Sequence, residues 1–443
     1  MQTDLTHGKI TVNMLLFALP LMAGNLLQQM YNIADTWVVG HYIGTDALGA
    51  VGSAYALMTF LTSILSGLCM GSGAAISVRY GAEKKDSMRN CIFLSFVFIS
   101  VLAVLLNAGV YFLGDAILVF LRVPVETRPL MHDYLVIIYA GILATFLYNY
   151  FASVLRAVGN STVPLIFLAA SAVLNVTLDI LWVAVFPFGV KGAAFATVLS
   201  QFVSGIGILL YTLKKFPELV PKAPERKWNK ENFRSVLDLS LMTSLQQSIM
   251  NFGILMVQGL VNSFGTTVMA AFAAAVKIDS TAYLPVQDFG NAFSVFVAQN
   301  HGADNRERIR KGVKSAVLVC AAFCVIISLA VCLFAEPLMK IFIDSKETAV
   351  IAVGAEYLKF EGAFYIGIGI LFLLYGYFRA VEKPGISVVL TVASLGTRVA
   401  LAYALSALPI LGVRGIWMSV PIGWAIADLV GIMLYIKGRK KQP

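Results

Sequence analysis

The chain has 443 residues, 59% of them hydrophobic and 13% charged, with a mean hydropathy of +0.81 and a formal net charge of +9. A soluble domain of this size needs a far more polar exterior, so the composition excludes a water-soluble globular protein and makes lipid the solvent. The basic balance suggests a nucleic-acid partner, which the placement of the charges along the chain excludes.

Runs of roughly 20 apolar residues, the length that crosses about 30 Å of hydrocarbon as a helix, recur twelve times: 13–40, 47–72, 91–113, 130–153, 163–185, 193–213, 236–263, 267–298, 313–335, 355–378, 385–407 and 414–436. The segment Met1–Lys9 is short and polar and leads straight into the first span without a small-residue cleavage site, so no cleaved signal peptide is expected. Pro20 interrupts the first span and permits a bend, either a static kink or a moving hinge, and Asp35 lies near the span's far end. Gly67, Gly71 and Gly73 in the second span suit close helix approach. Tyr134 begins the fourth span, Asn175 and Asp179 share one face of the fifth, and Thr197 lies about one turn into the sixth.

A polar, basic linker follows from Lys214 to Arg234, stiffened by Pro217, Pro221 and Pro224. It divides the chain into an N-terminal lobe, 1–213, and a C-terminal lobe, 235–443, with the linker at 214–234. The seventh span carries Gln246, Gln247 and Phe252. The eighth carries Lys277, Asp279, Pro285, Asp288, Phe289, Phe293 and Phe296, and the tenth Tyr365, Phe372 and Tyr375. Gln246, Gln247, Phe252, Asp288, Phe289 and Phe293 are candidate substrate-pocket residues, although most of the aromatics read as core or lipid-facing rather than as a lining. Asp279, Asp288, Asp428, Lys277 and Arg398 lie in or near spans, where charged ends can reach the interface. Cys320 and Cys324 are one turn apart without a His or carboxylate to complete a metal site, and packing is their expected role.

Short motifs recur between the halves. Gly81-Ala82-Glu83 matches Gly302-Ala303-Asp304, Arg156-Ala157-Val158 matches Arg379-Ala380-Val381, and Gly189-Val190-Lys191-Gly192 matches Gly412-Val413-Arg414-Gly415, at displacements of 221 to 223 residues. A spacing this steady implies a duplicated unit of six helices. An even helix number per unit makes the repeats parallel, with the space between them as the natural substrate route. Lys and Arg concentrate on the side of the linker: Lys9, Arg79, Lys84, Lys85, Arg89, Arg156, the linker's seven basic residues, the group from Arg306 to Lys314, Arg379, Lys383 and the C-terminal group ending at Lys441. The opposite side holds Arg122, Arg128, Lys191, Lys340, Lys346, Lys359 and Arg414. This bias places both termini in the cytoplasm and accounts for the basic charge as a topology signal.

The only Gly-Lys pair is Gly8-Lys9, so no phosphate-cradling loop powers the chain. The four histidines do not gather into a metal site. What remains is Asp35, Tyr134, Asn175, Asp179 and Thr197, which counting along separate helices places at one depth. Only the first half is expected to hold acids deep in its spans. A charge at the centre of a membrane helix costs about 2.5–3.5 kcal/mol on insertion scales, so such a set reads as a site. Paired carboxylates suit proton uptake, and oxygen ligands from Asp, Asn and Thr suit Na⁺.

At Ala34-Asp35-Thr36 with Val39-Gly40, at Leu155-Arg156-Ala157-Val158-Gly159-Asn160, from Asn175 to Asp179, and at Gln299-Asn300-His301-Gly302-Ala303, the chain resembles the multidrug and toxic compound extrusion (MATE) family, and within it the DinF-like branch. The resemblance covers essentially the whole chain. It implies an all-α polytopic fold of twelve helices in two pseudo-symmetric six-helix lobes, forming a V that opens alternately to each side. It implies a non-enzymatic antiporter that exports organic, often cationic, compounds while H⁺ or Na⁺ enters, with Asp35, Asn175, Asp179 and Thr197 as the cation site and Pro20 as the kink. A bacterial-type inner membrane, action as a monomer and no cofactor beyond the coupling ion go with it. The family's other main branch places acids on the seventh and tenth helices. Here the seventh has Gln246 and Gln247 and the tenth only Glu361 near its outer end, which argues against a second cation site. A flippase for a lipid-linked precursor is the alternative, and it would need buried bases, of which Lys277 and Arg398 are the chief candidates.

Overall fold

The computed structural model describes residues 3–120, 128–186 and 188–440, so Arg122, Lys441 and Pro443 lie outside the described residues. The apolar runs fold into helices in the order α1 (Ile10–Tyr42), α2 (Thr45–Gly81), α3 (Lys85–Phe112), α4 (Gly114–Phe120), α5 (Arg128–Ala157), α6 (Thr162–Asp179) and α7 (Gly189–Lys215). Beyond the linker come α8 (Lys230–Asn262), α9 (Thr266–Gly302), α10 (Arg306–Leu333), α11 (Ala335–Met339), α12 (Thr348–Gly362), α13 (Tyr365–Ala380), α14 (Pro384–Ser406) and α15 (Val413–Lys440). Among the described residues nine helical spans, and α12–α13 as a bent tenth, are long and apolar enough to cross a membrane. With the more polar α8 and α9, of 33 and 37 residues, every expected span has its helix.

The duplication is written into the backbone. Helices α1 and α8 have 33 residues each, α2 and α9 have 37, and α3 and α10 have 28. Positive φ recurs in register: Gly44 (116°) with Gly265 (98°), Glu83 (57°) with Asp304 (51°), Gly159 (86°) with Glu382 (55°), and Gly189 (60°) with Gly412 (50°). These turns keep the left-handed conformation even where an acid has replaced glycine, so turn geometry outlasted side-chain identity.

The copies diverge at two places. Helix α5 runs unbroken, whereas its counterpart is split into α12 and α13 with axes 52° apart at Ala363–Phe364. The single tenth span expected at 355–378 is therefore corrected to a broken one. Gly362 weakens the helix there, and Phe364 closes a tighter turn by donating its N–H to the Glu361 carbonyl at 3.0 Å. Conversely, α6 passes into a π-helical turn at Ile180–Val185, whereas α14 continues as a regular helix.

Two compact units emerge. One comprises Leu19–Ser244 with the tail up to Asp4; the other comprises Leu5–Ala18 with Leu245–Pro443. The chain changes unit inside α1, just before Pro20, and again inside α8. In the first unit α5 packs on α7 and α2, and α2 meets the start of α8 so closely that a Cβ on Gly71 would stand 2.2 Å from the Leu239 carbonyl. In the second, α13 packs on α9 and α14 on α15. There the segment before α1 is held by its own carbonyls: Leu5 accepts from Asn300 Nδ2 at 3.0 Å and from Arg308 Nε at 3.1 Å, and the Arg308 guanidinium also reaches His7 and Gly8.

The linker is a docked element. Arg89 of α3 pairs with Glu225 at 2.9 Å and donates to the Glu218 carbonyl, while Asn90 donates to the Glu225 and Lys227 carbonyls at 2.7 and 2.8 Å. The Lys222 backbone N–H, together with Arg89, holds the Glu225 carboxyl below the usual carboxylate range.

Candidate functional site

Helical periodicity decides which first-unit side chains can meet. On α6, Asn175 and Asp179 are four residues apart and share a face; both are buried, Asp179 with 0% of its surface exposed. Thr197 of α7 receives the Asn175 amide at 3.4 Å. Asp35 comes in from α1, and its carboxyl faces that of Asp179 at hydrogen-bonding range. Buried Tyr134 of α5 stands near both carboxyls. All five residues proposed from the sequence thus converge in one unit.

The chemistry of the cluster is an excess of acceptors. Asp35 Oδ1, Asn175 Oδ1 and both Asp179 carboxyl oxygens are buried with no hydrogen-bond donor among the described residues. The contact between the two carboxyls is acceptor against acceptor, and it becomes favourable only when a proton or a cation lies between them. Asp179 is also the last residue of α6 before the π turn, a wider coil in which Phe186 N–H reaches back to the Leu181 carbonyl. Such turns sit frequently at functional sites, because they re-aim the side chains beside them.

Sequence reasoning missed Tyr31. It lies one turn before Asp35 on α1, near both Asp35 and Tyr134, and its i, i+4 spacing from Asp35 was the available signal. Pro20 lies inside α1 as expected, about 22 Å along the helix from Asp35 at 1.5 Å per residue.

The candidate pocket residues of the second unit scatter. Gln246, Asp288, Phe289 and Phe293 are buried, Gln247 is half-buried and Phe252 is 57% exposed. The aromatics Phe289 and Phe293 are core packing rather than an open lining. The expectation that only the first half buries acids is overturned, because Asp279, Asp288, Glu361 and Asp428 are all buried in the second unit. Nor does Arg398 reach an interface: it is buried beside Asp279 and Glu361, while Lys277 is exposed. Cys320 and Cys324 are buried with their sulfurs 3.9 Å apart, facing Gly369 of α13.

The profile of the MatE family matches residues 20–181 and 240–404. The probable multidrug resistance protein YpnP of Bacillus subtilis (strain 168) is 31% identical over 442 residues, covering 99% of this chain and 97% of that protein. The probable multidrug resistance protein NorM of Thermotoga maritima is 25% identical, covering 97% of this chain and 93% of that one. Among solved structures, the outward-facing conformation of a multidrug resistance MATE family transporter of the MOP superfamily shares the fold with a TM-score of 0.92 at 23% identity, covering 99% of this chain and 97% of the other.

Proposed function

The chain belongs to the MatE family of membrane-embedded multidrug efflux transporters, which work by alternating access, and from that premise we propose that it is an antiporter whose coupling ion binds between Asp35 and Asp179. One observation carries the reading: the buried Asp179 carboxyl faces that of half-buried Asp35, and among the described residues no hydrogen-bond donor meets either Asp179 oxygen or the buried Oδ1 of Asp35. An inward-moving H⁺ or Na⁺ resolves that contact, and its departure restores the repulsion. Asn175 and Thr197 add oxygens for a hard cation, and Tyr134 adds a hydroxyl. The ion thus alters how the far half of α1 packs, and Pro20 lets the near half respond separately, because the proline leaves the Leu16 carbonyl without its helical partner.

The exported compounds are small organic molecules, often cationic, and the membrane is the bacterial inner membrane with both termini in the cytoplasm. The flippase alternative gains no support, since Arg398 is set among carboxyls and Lys277 is exposed. The deciding experiment is efflux of a fluorescent cationic dye from proteoliposomes under separately imposed pH and Na⁺ gradients. Efflux driven by at least one gradient, and lost in both Asp35→Asn and Asp179→Asn, is expected; gradient-independent efflux overturns the reading.

A further inference from the structure

The second unit buries a cation for which it supplies no anion. Arg379, in the last turn of α13, is 6% exposed, and among the described residues no carboxylate pairs with it and no charged side chain bears on its guanidinium. It donates instead to two neutral oxygens of α9, from Nε to Ser294 Oγ at 3.2 Å and from Nη2 to Asn291 Oδ1 at 3.1 Å. Asn291 and Ser294 are three residues apart and so share the face of α9 that meets α13. The two backbones close up beside them, where a Cβ on Gly376 would stand 2.6 Å from the Gly290 carbonyl. The end of α13 does not neutralise the arginine. Its Tyr377, Phe378 and Arg379 carbonyls accept from the backbone N–H groups of Val381, Lys383 and Glu382, and a helix C-terminus carries a partial charge of only about −0.5.

What is left unused here is all donor. Both Nη1 hydrogens, the second Nη2 hydrogen, the Ser294 hydroxyl hydrogen and the Asn291 Nδ2 amide find no acceptor among the described residues. Water accepts such hydrogens but leaves the charge uncancelled, whereas a monovalent anion does both. The close backbones and the small opening that remains at Arg379 suit an atom-sized ion rather than a phosphodiester headgroup. The duplication isolates the donor set. Arg156 occupies the corresponding place in α5, with its Nε buried and unpartnered, but at the displacement of 221 residues that relates α9 to α2, Asn291 and Ser294 fall on Met70 and Gly73. The arginine is common to both copies; the amide and hydroxyl beside it belong to the second alone.

We propose that Arg379, Ser294 and Asn291 form a binding site for a small monovalent anion of the chloride class. The anion accepts from Nη1 of Arg379, from the Ser294 hydroxyl and from Asn291 Nδ2, so it cancels the buried charge and ties α13 to α9 through the donors that the protein leaves idle. Because it binds the folded second unit, its occupancy raises the stability of that unit.

The test uses the purified full-length protein in sodium gluconate, with chloride exchanged for gluconate at constant Na⁺ and ionic strength so that the surroundings of Asp35 and Asp179 do not change. Radiolabelled chloride is expected to bind saturably, one per chain, to be displaced by bromide but not by phosphatidylglycerol, and to raise the melting temperature over the same concentration range. Arg379→Gln should abolish binding. Asn291→Asp places a fixed carboxylate beside the guanidinium, so it should weaken chloride binding by about tenfold or more and melt in gluconate as high as the parent does in chloride. This variant keeps the arginine and the shape of the site, and it decides the matter even if Arg379→Gln fails to fold. Arg156→Gln should retain the bound chloride. Absence of saturable chloride binding in the parent, binding unchanged in Asn291→Asp, or displacement by phosphatidylglycerol overturns the proposal.

Discussion

Four buried acceptor atoms of Asp35, Asn175 and Asp179 meet no donor among the described residues, and the proposed role of these side chains rests on that. Replacing either carboxyl by an amide supplies an N–H to the other and keeps the shape, so folding is expected to survive while the proton or Na⁺ loses its place. Drug resistance in cells expressing Asp35→Asn or Asp179→Asn at parental level should fall by about tenfold or more, equivalent to roughly 1.4 kcal/mol; unchanged resistance removes both from coupling. Tyr31→Phe is expected to leave expression intact and to alter the pH at which efflux is half-maximal, since Tyr31 lies near Asp35. The first-unit set was legible because regular helices translate residue number into depth and face, and five residues counted along α1, α5, α6 and α7 met as expected. Glu361 was not, because a break in the helix axis carries a side chain off the line that such counting assumes, and Asp279, on the unbroken α9, read as one of several charges in or near spans. Glu361 near a helix end looked like an interface charge and is in fact among the least exposed acids.

Pro20 stands where α1 passes from one compact unit to the other, which gives its missing hydrogen bond a meaning that the sequence left open between kink and hinge. Restoring the bond in Pro20→Ala should impair dye efflux while sparing ion binding at Asp35 and Asp179, about 22 Å away along the helix. Full transport identifies a static kink, and equal loss of binding shows that the proline shapes the site. The linker makes a second prediction. A carboxyl held below its ordinary range stabilises the folded state above the unfolded pKa near about 4.3, and that contribution is lost as pH falls through the lower folded value. Limited proteolysis between Lys214 and Arg234 should therefore accelerate below about pH 4, and Glu225→Gln should be cut faster already at neutral pH. A cleavage rate independent of both changes means that the linker is held by its backbone contacts alone. From the sequence this stretch read as a polar spacer, because the partners that dock it, Arg89 and Asn90, lie far away in the chain.

The duplication was the clearest whole-chain signal, and the backbone preserves it in helix lengths and in paired positive-φ turns. If the charge bias sets orientation, reporters fused after Pro443 and inserted into the linker should both report the cytoplasm, and a periplasmic signal from either redraws the spans. What the repeat pattern did not disclose is that the two compact bodies are not the two halves of the gene. Leu5–Ala18 belongs with the second body and the start of α8 with the first, and Arg308 and Asn300 are committed to carbonyls of the N-terminal segment. A chain severed in the linker therefore yields two incomplete proteins, each lacking a strand of helix that its partner carries. The C-terminal fragment made alone should be degraded or aggregate and be rescued by co-expression of the N-terminal one. Each body borrows a helical segment from the other half of the sequence, so the expected consequence is that neither repeat can be recovered as a separate subunit.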